Sequence, residues 1–228
     1  MKLYIANKNY SSWSMRPWVL MKALGIDFEE VVVPFDFHHG AASRFAATLA
    51  PINPAAQVPV LVDDTGFAVW DTLAIAEALH DRFPDAGVWP ADARRRARAR
   101  SVCAEMHAGF GHLRRLCPMN IEAYFPEIGK RLWAEEAGLR ANVARIEQLW
   151  QDALADSGGP FLFGAFSAAD AYYAPVVMRV SRFSLPLSMD AKAYAERVEA
   201  HPAVQAWIVA ALAEQTYVPE DEPYRSAR

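Results

Sequence analysis

The sequence predicts a chain in two parts, an α/β half followed by an all-α half. Strand-like and helix-like runs alternate through residues 1–82. From residue 92 to residue 228 only helical spacing recurs. Between them, Pro84-Asp85-Ala86-Gly87-Val88-Trp89-Pro90 carries the proline and glycine punctuation of a linker, assigned to 83–91. A length of 228 residues, 53% hydrophobic and 22% charged, suits one large domain or two small ones.

In the first half, residues 2–6 make a short strand. Residues 15–24 place Trp18, Met21 and Leu24 at helical spacing, and Gly25 follows as a stop. Residues 28–33 form a β-branched strand, and 41–49 carry a weak helical signal. Residues 58–62 and 67–70 flank Asp63-Asp64-Thr65-Gly66, a strong hairpin signal, and 72–83 form an amphipathic helix. The order βαβ, weak α, ββα is that of a thioredoxin-like sheet, a right-handed βαβ unit joined to an antiparallel hairpin. In the second half, one helix is expected over 92–117, through Cys103, Met106, Phe110, Leu113 and Cys117. A second is expected over 128–154, ended by Ser157-Gly158-Gly159-Pro160, with shorter helices at 168–181, 190–199 and 202–214. Ser167-Ala168-Ala169-Asp170 reads as a capping box with Asp in place of Glu, a folding device behind the staple residue Phe166.

A net charge of −4 offers no global field toward nucleic acid or an anionic membrane. No apolar run approaches the roughly 20 residues of a membrane span. The stretch Met1-Lys2-Leu3-Tyr4-Ile5-Ala6-Asn7 turns polar too early for a signal peptide, so a cytoplasmic location is expected. The two cysteines, Cys103 and Cys117, stand about 21 Å apart along one continuous helix, beyond disulfide reach, and are expected to be buried and inert.

Gln57-Val58-Pro59-Val60-Leu61 puts a proline at the entrance of an apolar strand, where its missing N–H is tolerated. A cis bond before Pro59 would turn the Val58 N–H and C=O outward as an edge for an extended peptide. A helix opening near Asp71-Thr72 supplies free N–H groups and a positive dipole end suited to a carboxylate. Together these read as a seat for a small acidic peptide.

Between the first strand and the first helix lies Asn9-Tyr10-Ser11-Ser12-Trp13-Ser14-Met15-Arg16-Pro17. Pro17 belongs within a first turn, so the helix is expected to start near Ser14. Ser11 and Ser12 then lie ahead of it, free to donate to an anionic ligand. Nothing resembles a Gly-x-Ser-x-Gly elbow, and a hydroxyl without a base is a donor rather than a nucleophile.

The serine run, Gln57-Val58-Pro59, Asp71-Thr72 and the two-part layout together resemble a cytosolic glutathione transferase, over essentially the whole chain. The Ser167–Asp170 box matches that family's folding motif. The serine run and Asn53-Pro54-Ala55-Ala56-Gln57-Val58-Pro59 are most similar to the zeta class and related bacterial serine-type enzymes. Two departures stand out. The zeta pattern reads Ser-Ser-Cys where this chain has Trp13, and the family's usual Glu-Ser pair is Asp71-Thr72.

The resemblance implies the glutathione transferase fold, glutathione as co-substrate and a homodimer. It implies that Ser11, or Ser12 in its place, hydrogen-bonds the glutathione sulfur. Val58 and Pro59 would hold the cysteinyl unit, Asp71 and Thr72 the γ-glutamyl end, and Gln57 would add an amide contact. His39, in the segment that flanks the glycyl carboxylate, is a further binding candidate. A small electrophile would lie between the halves against Trp13, Met106, His107, Phe110 and Arg114, although Met106 and Phe110 equally suit a packed core. His107 is expected as a satisfied polar residue rather than an acid–base group.

No metal site is expected, since the adjacent pair His38-His39 lacks a third ligand at helical spacing. The run Arg94-Arg95-Arg96, Arg98 and Arg100 reads as a solvated or dimer-facing helix surface. The leading function is conjugation of glutathione to a small electrophile. The alternatives are glutathione-dependent cis–trans isomerisation of a dicarboxylate, with Arg16 or Arg114 as the cationic group, and a non-catalytic binding module of the same fold.

Overall fold

Four short strands form where β-branched and aromatic residues cluster: β1 (Lys2–Ile5), β2 (Glu29–Val32), β3 (Val60–Val62) and β4 (Ala68–Trp70). In this computed structural model, which describes residues 1–36 and 43–228, the sheet order is β2-β1-β3-β4. Strand β1 runs parallel to β2, with Leu3 opposite Glu30, and antiparallel to β3, with Leu3 opposite Leu61. Leu61 pairs in turn with Val69 of β4. Asp63 closes the hairpin by accepting the Thr65 and Phe67 N–H groups at 2.8 and 3.0 Å, and Gly66 supplies the positive φ of 87°. Helices α1 (Ser12–Ala23), α2 (Arg44–Leu49) and α3 (Thr72–Arg82) complete this half.

The alternation of side chains across β1 divides the core. Leu3 and Ile5 face α1 and join the main cluster with Met15, Val19 and Leu79. On the other face Tyr4 packs with Val33, Leu49 and Val60.

Helix α1 begins two residues before the expected Ser14 start. Ser11 is the cap, its Oγ accepting the Ser14 N–H at 3.3 Å. Ser14 lies within the first turn, and its hydroxyl faces inward to accept the Ala6 N–H at 3.1 Å. The cap is therefore Ser11, and Ser14 ties the helix to the end of β1.

The helical half contains α4 (Ala93–Ala108), α5 (Gly111–Leu116), α6 (Pro126–Glu135), α7 (Ala137–Ser157), α8 (Ala168–Arg182), α9 (Met189–Ala200) and α10 (Pro202–Glu214). A 3-10 turn follows at Pro219–Asp221. Both long helices expected from the sequence are broken in two. The first breaks at Gly109-Phe110, where Phe110 takes a left-handed conformation, φ 57°. The second breaks at Glu136, φ −105° and ψ 92°. An arginine just beyond each break binds the carbonyls it exposes. Arg114 donates to the His107 and Gly109 carbonyls at 3.1 and 3.5 Å, and Arg140 donates to those of Trp133 and Ala134. Apolar spacing continues through each break, so periodicity alone did not reveal it.

Two arginines of the expected basic run pair with carboxylates remote in sequence. Arg95 meets Asp156 at 2.9 Å, and Arg100 binds Glu77 of α3 through two N–H groups. Cys103 and Cys117 are free thiols, fully buried, and burial pushes Cys117 up to about 12.

Helix α8 is the central post, buried from Ala168 through Val180 and packed against α1 and α4. Its start depends on Asp170, which accepts from Ser167 N–H (3.0 Å), Ser167 Oγ (3.3 Å), Leu162 N–H (3.0 Å) and Tyr194 Oη (2.9 Å). Asp170→Ala would orphan two buried N–H groups, each costing about 1–3 kcal/mol. The expected loss is about 3–5 kcal/mol in urea unfolding, with Asp170→Asn losing less because it keeps one acceptor oxygen. A second position is set by close approach. A Cβ on Gly129 of α6 would stand 1.7 Å from the Phe183 carbonyl oxygen at the end of α8. Gly129→Ala should therefore lower stability by about 2–4 kcal/mol despite better helix propensity, and a melting temperature that rises would contradict this contact.

Candidate functional site

A cavity of about 600 Å³ opens between the sheet and the C-terminal end of α4. Eight of the residues singled out in the sequence line it: Ser11, Trp13, Gln57, Val58, Pro59, Asp71, Thr72 and His107. They come from four places that the fold brings together, namely the start of α1, the approach to β3, the start of α3 and the end of α4.

The approach to β3 is shaped by Asn53, which the sequence offered only as part of a familiar string. Asn53 is fully buried; its Nδ2 donates to the Gln57 carbonyl at 2.9 Å and its Oδ1 accepts the Ala55 N–H at 3.0 Å. Ala56 supplies a positive φ of 49° and the Val58–Pro59 bond is cis. Val58 takes no part in the ladder, which starts at Val60. It stands in a bend at the cavity, outside the sheet's pairing.

At the start of α3, Asp71 adopts φ 70° and ψ 136°, a conformation that costs a non-glycine residue about 1–3 kcal/mol. Its Oδ1 caps the helix by accepting the Leu73 N–H at 2.8 Å. Its Oδ2 lies 3.3 Å from His107 Nε2 of α4. Thr72 is buried, and its Oγ1 accepts from the Tyr172 hydroxyl of α8 at 2.7 Å. Accepting that bond leaves the Thr72 proton free to turn toward the cavity. A carboxylate for a cation beside a hydroxyl at a helix N-terminus is a matched pair for an amino-acid end.

The two serines separate cleanly. Ser11 lines the cavity as the cap of α1, with its Oγ 2.7 Å from Ser14 Oγ. Ser12 is not among the lining residues, and its Oγ accepts from Arg179 Nη2 at 3.2 Å. Arg179 also donates to the Arg114 and Cys117 carbonyls, and burial lowers its pKa to about 10. Its one sign in the sequence is a cation inside the apolar stripe of α8.

Trp13 forms the wall between the cavity and a cluster of cations. The Arg16 guanidinium lies 4.1 Å from the Trp13 ring and 4.9 Å from the Tyr172 ring, and Arg114 lies 5.1 Å from Trp13. Arg16 is only 2% exposed, and its Nε and Nη1 have no hydrogen-bond partner. Burial brings its pKa to about 10, so it remains charged at neutral pH. His107 packs edge-on against Trp13 at 5.0 Å, with its Nδ1 buried and unpartnered. The expectation of a fully satisfied histidine is thus met at one ring nitrogen only.

Met106 and Phe110 do not line the cavity. Both are packed in the main core, Phe110 because the helix break turns it inward. Arg114 reaches the site only through Trp13 and the helix end it caps. His39, like His38, lies outside the described residues. Among the described residues no group of three His, Cys, Asp or Glu side chains could hold a metal ion.

Residues 10–82 match the family description "Glutathione S-transferase, N-terminal domain", and residues 91–210 match "Glutathione S-transferase, C-terminal domain". A maleylacetoacetate isomerase of Pseudomonas aeruginosa is 30% identical over 89% of this chain and 93% of its own. The maleylacetoacetate isomerase of Rattus norvegicus is 28% identical over 82% of this chain and 81% of its own. Among solved structures, a Burkholderia glutathione transferase homolog with bound glutathione superposes with a TM-score of 0.64. It is 25% identical, covering 94% of this chain and 98% of that one. With the cavity assembled from the start of α1, the approach to β3, the start of α3 and the end of α4, and with both halves of the chain matched in order, the chain belongs to the glutathione S-transferase family.

Proposed function

We propose that this glutathione transferase keeps the glutathione sulfur ionised with the Ser11 hydroxyl, for attack on a small electrophilic carbon. The observation that carries the reading is the division of labour between the serines: Ser11 lines the cavity, while Ser12 is engaged by Arg179. Asp71 would meet the γ-glutamyl ammonium, Thr72 its carboxylate and the Val58 backbone the cysteinyl unit, with Gln57 beside them.

A free thiol with a pKa near 8.5 is only about 3% ionised at pH 7, and lowering it by about 2 units takes roughly 2.7 kcal/mol. One hydroxyl bond to a charged acceptor supplies about 1.5–3 kcal/mol, and the end of α1 about 0.3–1. Ser11 Oγ donates to Ser14 Oγ at 2.7 Å in the resting site, and because hydroxyl protons rotate, that proton would turn to an arriving sulfur while Ser14 goes on accepting the Ala6 N–H. The thiol proton leaves to solvent, and the pair on sulfur forms the carbon–sulfur bond as the carbon's leaving group departs with its bonding pair. On addition to a conjugated double bond, the π pair instead moves out and is protonated by solvent, so no general base is required.

A second reading is glutathione-dependent cis–trans isomerisation, favoured by the relatives named maleylacetoacetate isomerase and by the guanidinium cluster of Arg16, Arg114 and Arg179. There the sulfur adds to the double bond, the carbon–carbon axis turns, and the sulfur is expelled unchanged. Incubation with glutathione and a cis-enedioic acid separates the two. Isomerised acid with undiminished glutathione supports the second, whereas accumulating conjugate supports the first.

We further propose that the protein is a cytoplasmic homodimer. No described helix is long and apolar enough to cross a membrane, and the exposed Phe67 of the β3–β4 hairpin suits a protein partner. Sedimentation at micromolar concentration should give the dimer mass.

Ser11→Ala should raise the pKa of bound glutathione by about 1–2 units while affinity changes little, since Asp71, Thr72 and Val58 hold the rest of the peptide. The loss of turnover should be largest near about pH 6.5 and shrink as pH rises and the thiol ionises unaided. Ser12→Ala should be milder. A large pH-dependent loss in Ser12→Ala with none in Ser11→Ala would reverse the assignment. Ser14→Ala should lose about 1–3 kcal/mol of stability from the orphaned Ala6 N–H.

A further inference from the structure

The turn that delivers Ser11 is held by the last part of the chain. Lys8 N–H donates to Glu214 Oε1 at 2.8 Å, and the Lys8 carbonyl accepts from Trp207 Nε1 at 3.1 Å. Asn9 Oδ1 accepts the Ile121 and Glu122 N–H groups, both at 2.9 Å. Tyr10, adjacent to Ser11, donates its hydroxyl to Glu222 Oε1 at 2.7 Å and accepts the Val218 N–H at 3.3 Å.

The Glu222 carboxylate is wholly buried, although it lies beyond the last α-helix. Asn120 Nδ2 donates to it at 2.9 Å, and Arg225 Nε donates at 2.8 Å while its Nη2 also meets Glu122 at 3.1 Å. Burial and the facing Glu222 raise the Tyr10 phenol, which keeps it a donor. A buried ionic network is weak in net stability against apolar packing of equal volume. What it fixes well is geometry, because every member has a directional partner. The two backbone bonds that follow pass that geometry on: Ser11 N–H donates to the Asn7 carbonyl and Ser12 N–H to the Tyr10 carbonyl, both at 2.9 Å.

We propose that residues 214–225 form a clasp on the turn 7–10 that fixes where the Ser11 hydroxyl stands at the cavity, with Tyr10 and Glu222 as its positioning residues. The proposal rests on the reading of Ser11 as the sulfur's donor. A donor misplaced by about an ångström loses much of its effect on a developing or resting anion. The clasp touches neither Asp71, Thr72 nor Val58, so it acts on ionisation of the thiol rather than on retention of the peptide.

The test titrates bound glutathione by thiolate absorbance in the full chain, for Tyr10→Phe, Glu222→Gln, Ser11→Ala and the double variant Tyr10→Phe/Ser11→Ala. Tyr10→Phe and Glu222→Gln should each cut the thiolate fraction near about pH 6.5 by roughly three- to tenfold, with the glutathione dissociation constant changed less than about twofold. The double variant should be no worse than Ser11→Ala alone, because both changes act through one hydroxyl. Additive loss in the double variant would overturn the proposal, as would a lower melting temperature with an unchanged thiol pKa in both clasp variants. A shift in Ser11→Ala with none in Tyr10→Phe and Glu222→Gln removes the clasp and leaves the Ser11 reading standing. No shift in Ser11→Ala removes both. Should Tyr10→Phe not fold, Glu222→Gln keeps the side chain's size and one acceptor oxygen and carries the same test.

Discussion

A single buried charge, the guanidinium of Arg16, joins the parts on which the site depends. It lies between the Trp13 ring of α1 and the Tyr172 ring of α8, with two of its nitrogens unpaired. Removing such a cation from water costs several kcal/mol, and two aromatic faces return about 2 kcal/mol or more each when desolvated. The remainder is an unbalanced positive potential inside the protein. Tyr172, fixed by that stack, also donates to Thr72 at the start of α3. Trp13, fixed on the other side, becomes a wall of the cavity. The α/β half, the helical half and the cavity thus share one contact, and an anion arriving beside it is favoured by a charge the fold has already desolvated.

The layout of the chain was legible because the two halves differ in period. Alternating β-branched runs and a strong turn string marked the sheet, and helical spacing marked the rest. Both misjudged helices failed for the same reason. Leu113 and Cys117 continue the apolar stripe beyond Gly109-Phe110, and Leu139 and Val143 continue it beyond Glu136, so the core is fed by either a straight or a broken helix. The breaks are held by Arg114 and Arg140, each reaching back six or seven residues to a freed carbonyl. A sequence shows those residues only as polar positions on a helix face.

The site was legible to a similar depth. Gln57-Val58-Pro59 and Asp71-Thr72 are local strings whose chemistry follows from neighbours in sequence. The contact that distinguishes Ser12 from Ser11 was not, because it is made by Arg179, a residue 167 positions away. Tyr172 and Asn53 were missed on the same grounds: each acts through a partner that only the fold brings near. His107 fell between the two cases, since its position on α4 could be read but its approach to Asp71 could not.

Trp13 decides how the cations behind it can act. In the Ser-Ser-Cys pattern a small side chain would occupy this place. Here an indole stands between the cavity and Arg16, so the guanidinium acts on a ligand by field rather than by hydrogen bond. At an effective dielectric of about 20, a unit charge acting on another over about 8 Å contributes about 2 kcal/mol. That is comparable to a hydrogen bond to a charged acceptor, yet it carries almost no directional demand. A field of this kind favours a thiolate or an enolate wherever it forms, whereas a bidentate clamp would select a carboxylate of fixed placement. An indole at this place therefore favours stabilisation of an anion over directional recognition of a second carboxylate.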